Sequence, residues 1–390
     1  MTLSRWTHAQ LESGGWIRRM SLEGQRLRKL HGDDAVADLS IGQPLAASEA
    51  VGEAFRAAAA ERFPERFEYM PNLGYEDVRE RAARDVDFAG VDAASIAITP
   101  GAAAAMCVAI RTFVDPGDDV IGIAPYFPEF RLYCETASAR FVPIPSRTDL
   151  GIDLDGIAAA LSSRSAAVIL NSPCNPSGHV VDATELSALV RLLRAHAADH
   201  GRNVMLFVDE VYRRLTYHPH VALQPLSHYE HTVLARSFSK DLGIAGERIG
   251  YLVLHPSLVN AETHRGLALA MRALGFVNAP ATAQRALVHL ESWEINIAPY
   301  RERRDLVVSL ARNSGLDAAE PDGGLYLWIR SPWRDTIAAV EALAEQRVLV
   351  TPGVAFGAPD HIRLCFSATP AKLTMAMDAL ADIAASPIPA

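Results

Sequence analysis

Between residues 95 and 255, short apolar runs alternate with longer amphipathic stretches, and this alternation sets the fold class. The runs are SIAITP (95–100), DVIGIA (119–124), RFVPIP (140–145), AAVILN (166–171), VMLFVD (204–209), TVLARS (232–237) and GYLVLH (250–255). They have strand length and are apolar almost continuously, as strands covered on both faces must be. Helical patterns at 101–114, 183–199 and 260–274 lie among them. The pattern predicts an α/β fold with a mostly parallel, seven-stranded sheet covered by helices. The chain ends read differently. A helical segment (286–315) precedes a β-rich, glycine-containing region (GGLYLWI, RVLVTPG, HIRLCFS) and a closing helix (370–384). We therefore expect a large domain over 46–285 and a smaller α+β domain built from 1–45 and 286–390.

Charge and cysteine usage narrow the function class. The net charge of −9 argues against nucleic acid or an anionic membrane as the main partner. No apolar run approaches the ~20 residues of a membrane span, and MTLSRWTHAQLESGG lacks the apolar core of a signal peptide. The expectation is a cytoplasmic protein. Cys107, Cys134, Cys174 and Cys365 are widely spaced and suggest neither a disulfide framework nor a metal site. His196 and His200 have the i,i+4 spacing of a zinc pair, but Ala-Ala-Asp lies between them in place of a catalytic glutamate. No metal is expected.

Lysine is the informative residue type. It occurs only at 29, 240 and 372 among 37 basic residues. Arginine cannot replace a lysine that must lose its proton and react. Lys240 ends SFSK (237–240), just after a buried strand, where desolvation favours a neutral, nucleophilic amine. In open α/β sheets, ligands gather beyond the carboxyl ends of the strands. Asn175 in NSPCNPSG, Asp209 in VMLFVDEVY and the Ser237–Lys240 segment all fall there.

Each neighbouring motif has a chemical use. Asp209, ending an apolar strand, could hold a proton on a pyridine nitrogen and make the ring an electron sink. Tyr212 and Asn175 could donate to a phenolate oxygen on that ring. An apolar strand ending in Asp-Glu also suits a P-loop ATPase, but that class needs GxxxxGK[ST], and none of the three lysines follows a glycine. TPGAAAAM (99–106) passes from strand to helix through Gly101, so the first helical amides, at Ala102 and Ala103, are available to a phosphate. Ser237 and Arg248 could complete that anion site.

SFSK followed by GERIGY, with NPSG and DEVY upstream, resembles the class I/II aminotransferases of pyridoxal 5'-phosphate (PLP) fold type I, the aspartate aminotransferase superfamily. The resemblance runs from about residue 36 to 367. It implies Lys240 as the Schiff-base lysine and proton shuttle, with Asp209 on the pyridine nitrogen. It further implies Asn175 and Tyr212 on the phenolate oxygen, and Ser237 and Arg248 on the phosphate. Phe127 in PYFPEF matches the aromatic that stacks on the ring. Tyr69 in YMPNLG matches a tyrosine reaching the neighbouring subunit's phosphate, which implies a homodimer. Arg363 in HIRLCFS matches the arginine that grips the α-carboxylate, and Gly42 in LSIGQP the loop that closes over the substrate.

The implied reaction carries an α-amino group from an amino acid to a 2-oxo acid. A lyase or cyclase outcome (γ-elimination or cyclisation, as in the aminocyclopropane-carboxylate-synthase and capreomycidine-synthase-like relatives) is the alternative, because fold does not fix function. The sequence departs from the family pattern at the all-Gly/Ala phosphate loop, and at Leu45 and Ser48 after GQP. Tyr326, Trp328 and Phe356 are pocket residues or ordinary small-domain core, with core the favoured reading, and neither Arg272 nor Arg285 has a motif behind it as a second carboxylate reader.

Overall fold

In a computed structural model of the chain, residues 2–13, 15–62, 67–218 and 223–386 are described. All seven apolar runs form strands of one sheet. Across the sheet the order is Ile96–Thr99, Gly250–Leu254, Thr232–Ser237, Met205–Asp209, Ser165–Asn171, Asp119–Ala124 and Arg140–Pro145. Gly250–Leu254 runs antiparallel to both its neighbours, and the other pairings are parallel. This is the predicted α/β architecture.

The continuous apolar character has a direct cause. Val168, Leu206 and Val208 pack into one apolar layer, while Ala167, Ile169 and Phe207, the alternate residues of the same strands, pack into another. Successive strand residues point to opposite faces, so a sheet covered on both sides has no polar face to show. The helix Ala102–Phe113 covers Thr232–Ser237 and Gly250–Leu254. The helix Ala183–His200 starts at Asp182, whose side chain accepts from the Thr184 and Glu185 amides, and stops at Gly201 in the left-handed region (φ 68°).

The second body has its own core around an antiparallel sheet ordered Thr351–Pro352, His361–Cys365, Tyr326–Arg330 and Ala318–Ala319. N-terminal residues join it, since Ala37–Asp38 pairs in parallel with Val348–Leu349. One expectation needs correction. The stretch 286–315 is not a single helical segment but two helices, Ala281–His289 and Ala298–Asn313. Between them Trp293 folds back, and its indole N–H donates to the Leu287 carbonyl at 3.1 Å. Pro299, in the first turn of the second helix, restarts the chain where a proline is tolerated. The first helix and Trp293 pack with the large sheet, whereas Tyr300 and Val307 belong to the second core. Among the described residues no helix is long and apolar enough to cross a membrane.

Candidate active site

The sheet register aligns the chemistry along one edge. Thr99 and Ser237 both stand opposite Gly250, and Asn171 stands opposite Asp209. Because Gly250–Leu254 is reversed, its N-terminal end, preceded by Arg248, lies beside the carboxyl ends of the other strands. A cavity opens there. Ala102, Ala103, Phe127, Asn175, Asp209, Tyr212, Ser237, Lys240 and Arg248 line it from the large body, Gly42 and Arg363 from the other. Gly101 sits immediately before the helix that supplies the two alanines. Tyr69 is not brought to this cavity; it is 98% exposed.

Lys240 lies in the short helix Phe238–Asp241, whose first residues Ser237 caps by accepting from the Ser239 amide at 3.1 Å. Phe238, Ser239 and Asp241 are buried, and Asp241 bonds Arg214 at 2.6 Å, so the turn is held while the lysine reaches the cavity. Its Nζ donates to the Gly42 carbonyl. Burial lowers its pKa to about 8; Cys365 opposes the shift, and the Arg363 and Arg248 charges add to it.

The two acids of Asp209-Glu210 divide cleanly. Glu210 is paired with Arg236 at 2.6 Å, and both are buried. Asp209 forms no ion pair among the described residues; its Oδ1 accepts only the Val211 amide, at 3.2 Å. Burial raises its pKa to about 7, with the Val211 bond opposing and the Glu210 charge reinforcing. A buried carboxylate without a cation beside it is a site prepared for one.

At the sheet's far end, Gly101 adopts φ +86°, and a Cβ there would come within 2.9 Å of Arg248 Nη2. The bare turn therefore leaves the first amides of Ala102–Phe113 open opposite a guanidinium. Those amides have no intrahelical partner. Arg248 Nη1 is steadied by the Ala245 carbonyl at 2.8 Å, and Ser237 Oγ and Ser239 Oγ bond each other at 2.9 Å beside it.

Arg363 is 1% exposed. Its Nη1 donates to Asn175 Oδ1 at 2.9 Å and its Nη2 to the Ser40 carbonyl at 2.5 Å, while Nε is buried without a partner. The guanidinium lies 4.3 Å from the Tyr326 ring centre and 4.6 Å from that of Phe356. Tyr326, read from sequence as core, also lines the cavity and bonds Tyr212 Oη to Oη at 2.9 Å. A Cβ on Gly42 would collide with the Tyr326 hydroxyl, which is why that loop residue carries no side chain. Trp328 and Phe356 are fully buried, as expected of core. Arg285 is engaged by Glu61 at 2.8 Å, and Arg272 is exposed away from the cavity.

Sequence reasoning missed Ile17, Ile41, Glu129 and Tyr133, which also line the cavity. Glu129 stood within the quoted PYFPEF, two residues after Phe127; the isoleucines carry no local signal. The departures at Leu45 and Ser48 are accommodated structurally. The Leu45 amide donates to Tyr300 Oη at 2.8 Å, and Ser48 immediately precedes the helix Glu49–Ala60.

Comparison with known proteins identifies the family. The profile of the family described as aminotransferase class I and II matches residues 34–380. The aspartate/prephenate aminotransferase of Thermus thermophilus is 30% identical over 90% of this chain and 91% of its own length. The arginine–pyruvate transaminase of Pseudomonas aeruginosa is 31% identical over 75% and 78%, respectively. The crystal structure of an aminotransferase from Eubacterium rectale superposes with a TM-score of 0.90 at 29% identity, covering 98% of both chains. Motifs in order, one shared cavity and a profile match along most of the sequence lead to one conclusion: this chain belongs to the class I and II aminotransferase family.

Proposed function

We propose that this PLP-dependent aminotransferase moves the α-amino group of an amino acid to a 2-oxo acid with Lys240 as its cofactor anchor and proton carrier. The observation that carries the reading is one cavity holding a depressed lysine, an unpaired buried carboxylate and a buried arginine with a spare donor.

The residues fit the cofactor. The open turn at Gly101, the Ala102 and Ala103 amides, Ser237 and Arg248 would hold its phosphate. Asp209 would face the pyridine nitrogen, Asn175 and Tyr212 the phenolate oxygen, and Phe127 the ring face. When bound, PLP supplies a carbonyl for amines to condense with and a ring that accepts electrons. Lys240 would anchor the group through its Nζ. Once the substrate amine takes that place, the same Nζ would be free to carry the proton of the substrate Cα. Asp209, once ionised there, would keep that nitrogen protonated. Arg363 orients the α-carboxylate with Asn175 beside it, and the Gly42 loop, already bonded to Lys240, closes the site.

Incubating the holoenzyme with an amino-acid panel should convert its spectrum to the pyridoxamine form, and a 2-oxo acid should restore it. An intact cofactor spectrum across the whole panel would overturn the reading. Arg363→Lys should raise KM for the amino acid by about 10–100-fold with a smaller change in kcat, since an ammonium cannot make the two parallel bonds of a guanidinium. An unchanged KM would remove Arg363 from this role.

Homodimer assembly and a cytoplasmic setting belong to the same proposal. Tyr69, fully exposed on one chain, is available to a neighbouring subunit's phosphate site. The four cysteines are free, which suits a reducing compartment.

A further inference from the structure

We propose that Glu129 selects the substrate side chain, admitting amino acids whose far end carries a guanidinium or ammonium group and rejecting dicarboxylates. The inference rests on the reading that this cavity binds an α-amino acid through Arg363.

Glu129 opens the helix Glu129–Thr136, directly after Phe127 and Pro128. Its Oε2 is buried with no hydrogen-bond partner. The same side chain, with Ile17 and Ile41, lines both the Lys240 cavity and an adjoining groove. A side chain leaving the reacting carbon toward that groove therefore passes Glu129, between two apolar walls. Burial raises the Glu129 pKa, with the Arg363 charge opposing. A cationic donor placed against Oε2 would satisfy the orphan oxygen and hold the group ionised.

The cations nearby are otherwise engaged. Arg363 is held by Asn175 and the Ser40 carbonyl, and its spare Nε serves the α-carboxylate end. In the adjoining groove, Arg131 donates to Gln10 Oε1 at 2.9 Å and sits 3.3 Å from Glu135. Arg18 is exposed, where solvent screens it. Among the described residues no cation bonds Glu129 Oε2, so a distal carboxylate would meet a second carboxyl group there rather than a partner.

The test uses carboxylates that lack the α-amine, so that binding is read without chemistry. Calorimetric titration of the holoenzyme with 5-guanidinopentanoate, 5-(dimethylamino)pentanoate (a tertiary amine that cannot condense with the cofactor), glutarate and pentanoate should rank at least one cationic analogue about tenfold or more ahead of the other two. Whether the guanidinium or the ammonium binds tighter then identifies the source of the cation. Glu129→Gln should erase that advantage and leave pentanoate within about threefold, which also reports an intact site. Glutarate binding most tightly to the native enzyme, or all four ligands weakening equally in the variant, would overturn the assignment. Should the cationic preference stand while no amino acid yields the pyridoxamine form, the Glu129 assignment holds and the amino-transfer reading falls.

Discussion

Lys240→Ala is expected to lose the borohydride-trapped cofactor adduct and about 10^4-fold or more of turnover, because one side chain carries both the covalent link and the proton. The chain offers no substitute nearby. Lys372 donates to Asp33 at 2.7 Å from the closing helix, and Lys29 is exposed in the helix Trp16–His31. An adduct that survives the substitution would end the assignment, and peptide mapping would show which lysine formed it. The same residue predicts a pH dependence. With its pKa lowered to about 8, the neutral amine becomes the majority form above that pH. At pH 7 about a tenth of the lysine is neutral, several hundred-fold more than for an unperturbed lysine. Capture of PLP by the cofactor-free protein should therefore accelerate as pH rises and level off above about 8. A rate still climbing steeply at pH 10 would show a lysine with an ordinary pKa.

What could be read from sequence follows a physical division. Six of the seven strands were legible because burial on both faces forces an unbroken apolar run, as Val168, Ile169 and Leu170 illustrate in successive positions, whereas the edge strand Arg140–Pro145 is partly exposed. Asp209, Asn175 and Lys240 were legible because each follows such a run directly, so strand position and chemistry coincide in a short window. Tyr326 shows the limit of that logic. It sits in a strand of the second body and packs like core, yet its hydroxyl meets Tyr212 in the cavity, 114 positions away in sequence. Ile17 and Ile41 reach the site from the N-terminal segment, where an isolated isoleucine looks the same whether it lines a core or a cleft. Glu129 was in view but unread, since nothing local distinguishes a carboxylate at a helix start, where acids are common, from one turned into a cavity. The break between His289 and Ala298 was missed because helical periodicity continued on both sides, and only the tertiary contact of Trp293 interrupts it.

Asp209→Asn is expected to improve the cofactor-free protein and cripple the enzyme. The amide preserves the shape and an oxygen for the Val211 amide, so the strand end should hold its geometry. What disappears is the ionisable group. In the folded, cofactor-free chain its pKa is raised to about 7, against an unfolded value near 3.9. The folded state therefore binds more protons than the unfolded one between those limits, and stability falls as pH rises through that window. Three pH units correspond to a penalty on the order of 4 kcal/mol, fully present above about pH 7 and absent below about pH 4. Thermal denaturation of the cofactor-free proteins should show the native Tm declining from pH 5 to pH 8 relative to the variant, with the curves converging in acid. Parallel curves would mean that Asp209 carries no such strain. In the loaded enzyme the sign should reverse, since a pyridine nitrogen held by Asp209, as proposed, would supply the missing partner and draw the carboxylate into its charged form. Asparagine cannot hold that proton, so kcat should drop by about 10^3-fold while the lysine adduct still forms. Loss of the adduct along with activity would instead place Asp209 in cofactor capture, and an undiminished kcat would detach it from the ring altogether. On this reading a residue that destabilises the empty fold would be kept because the cofactor's charge, and not the protein, completes it.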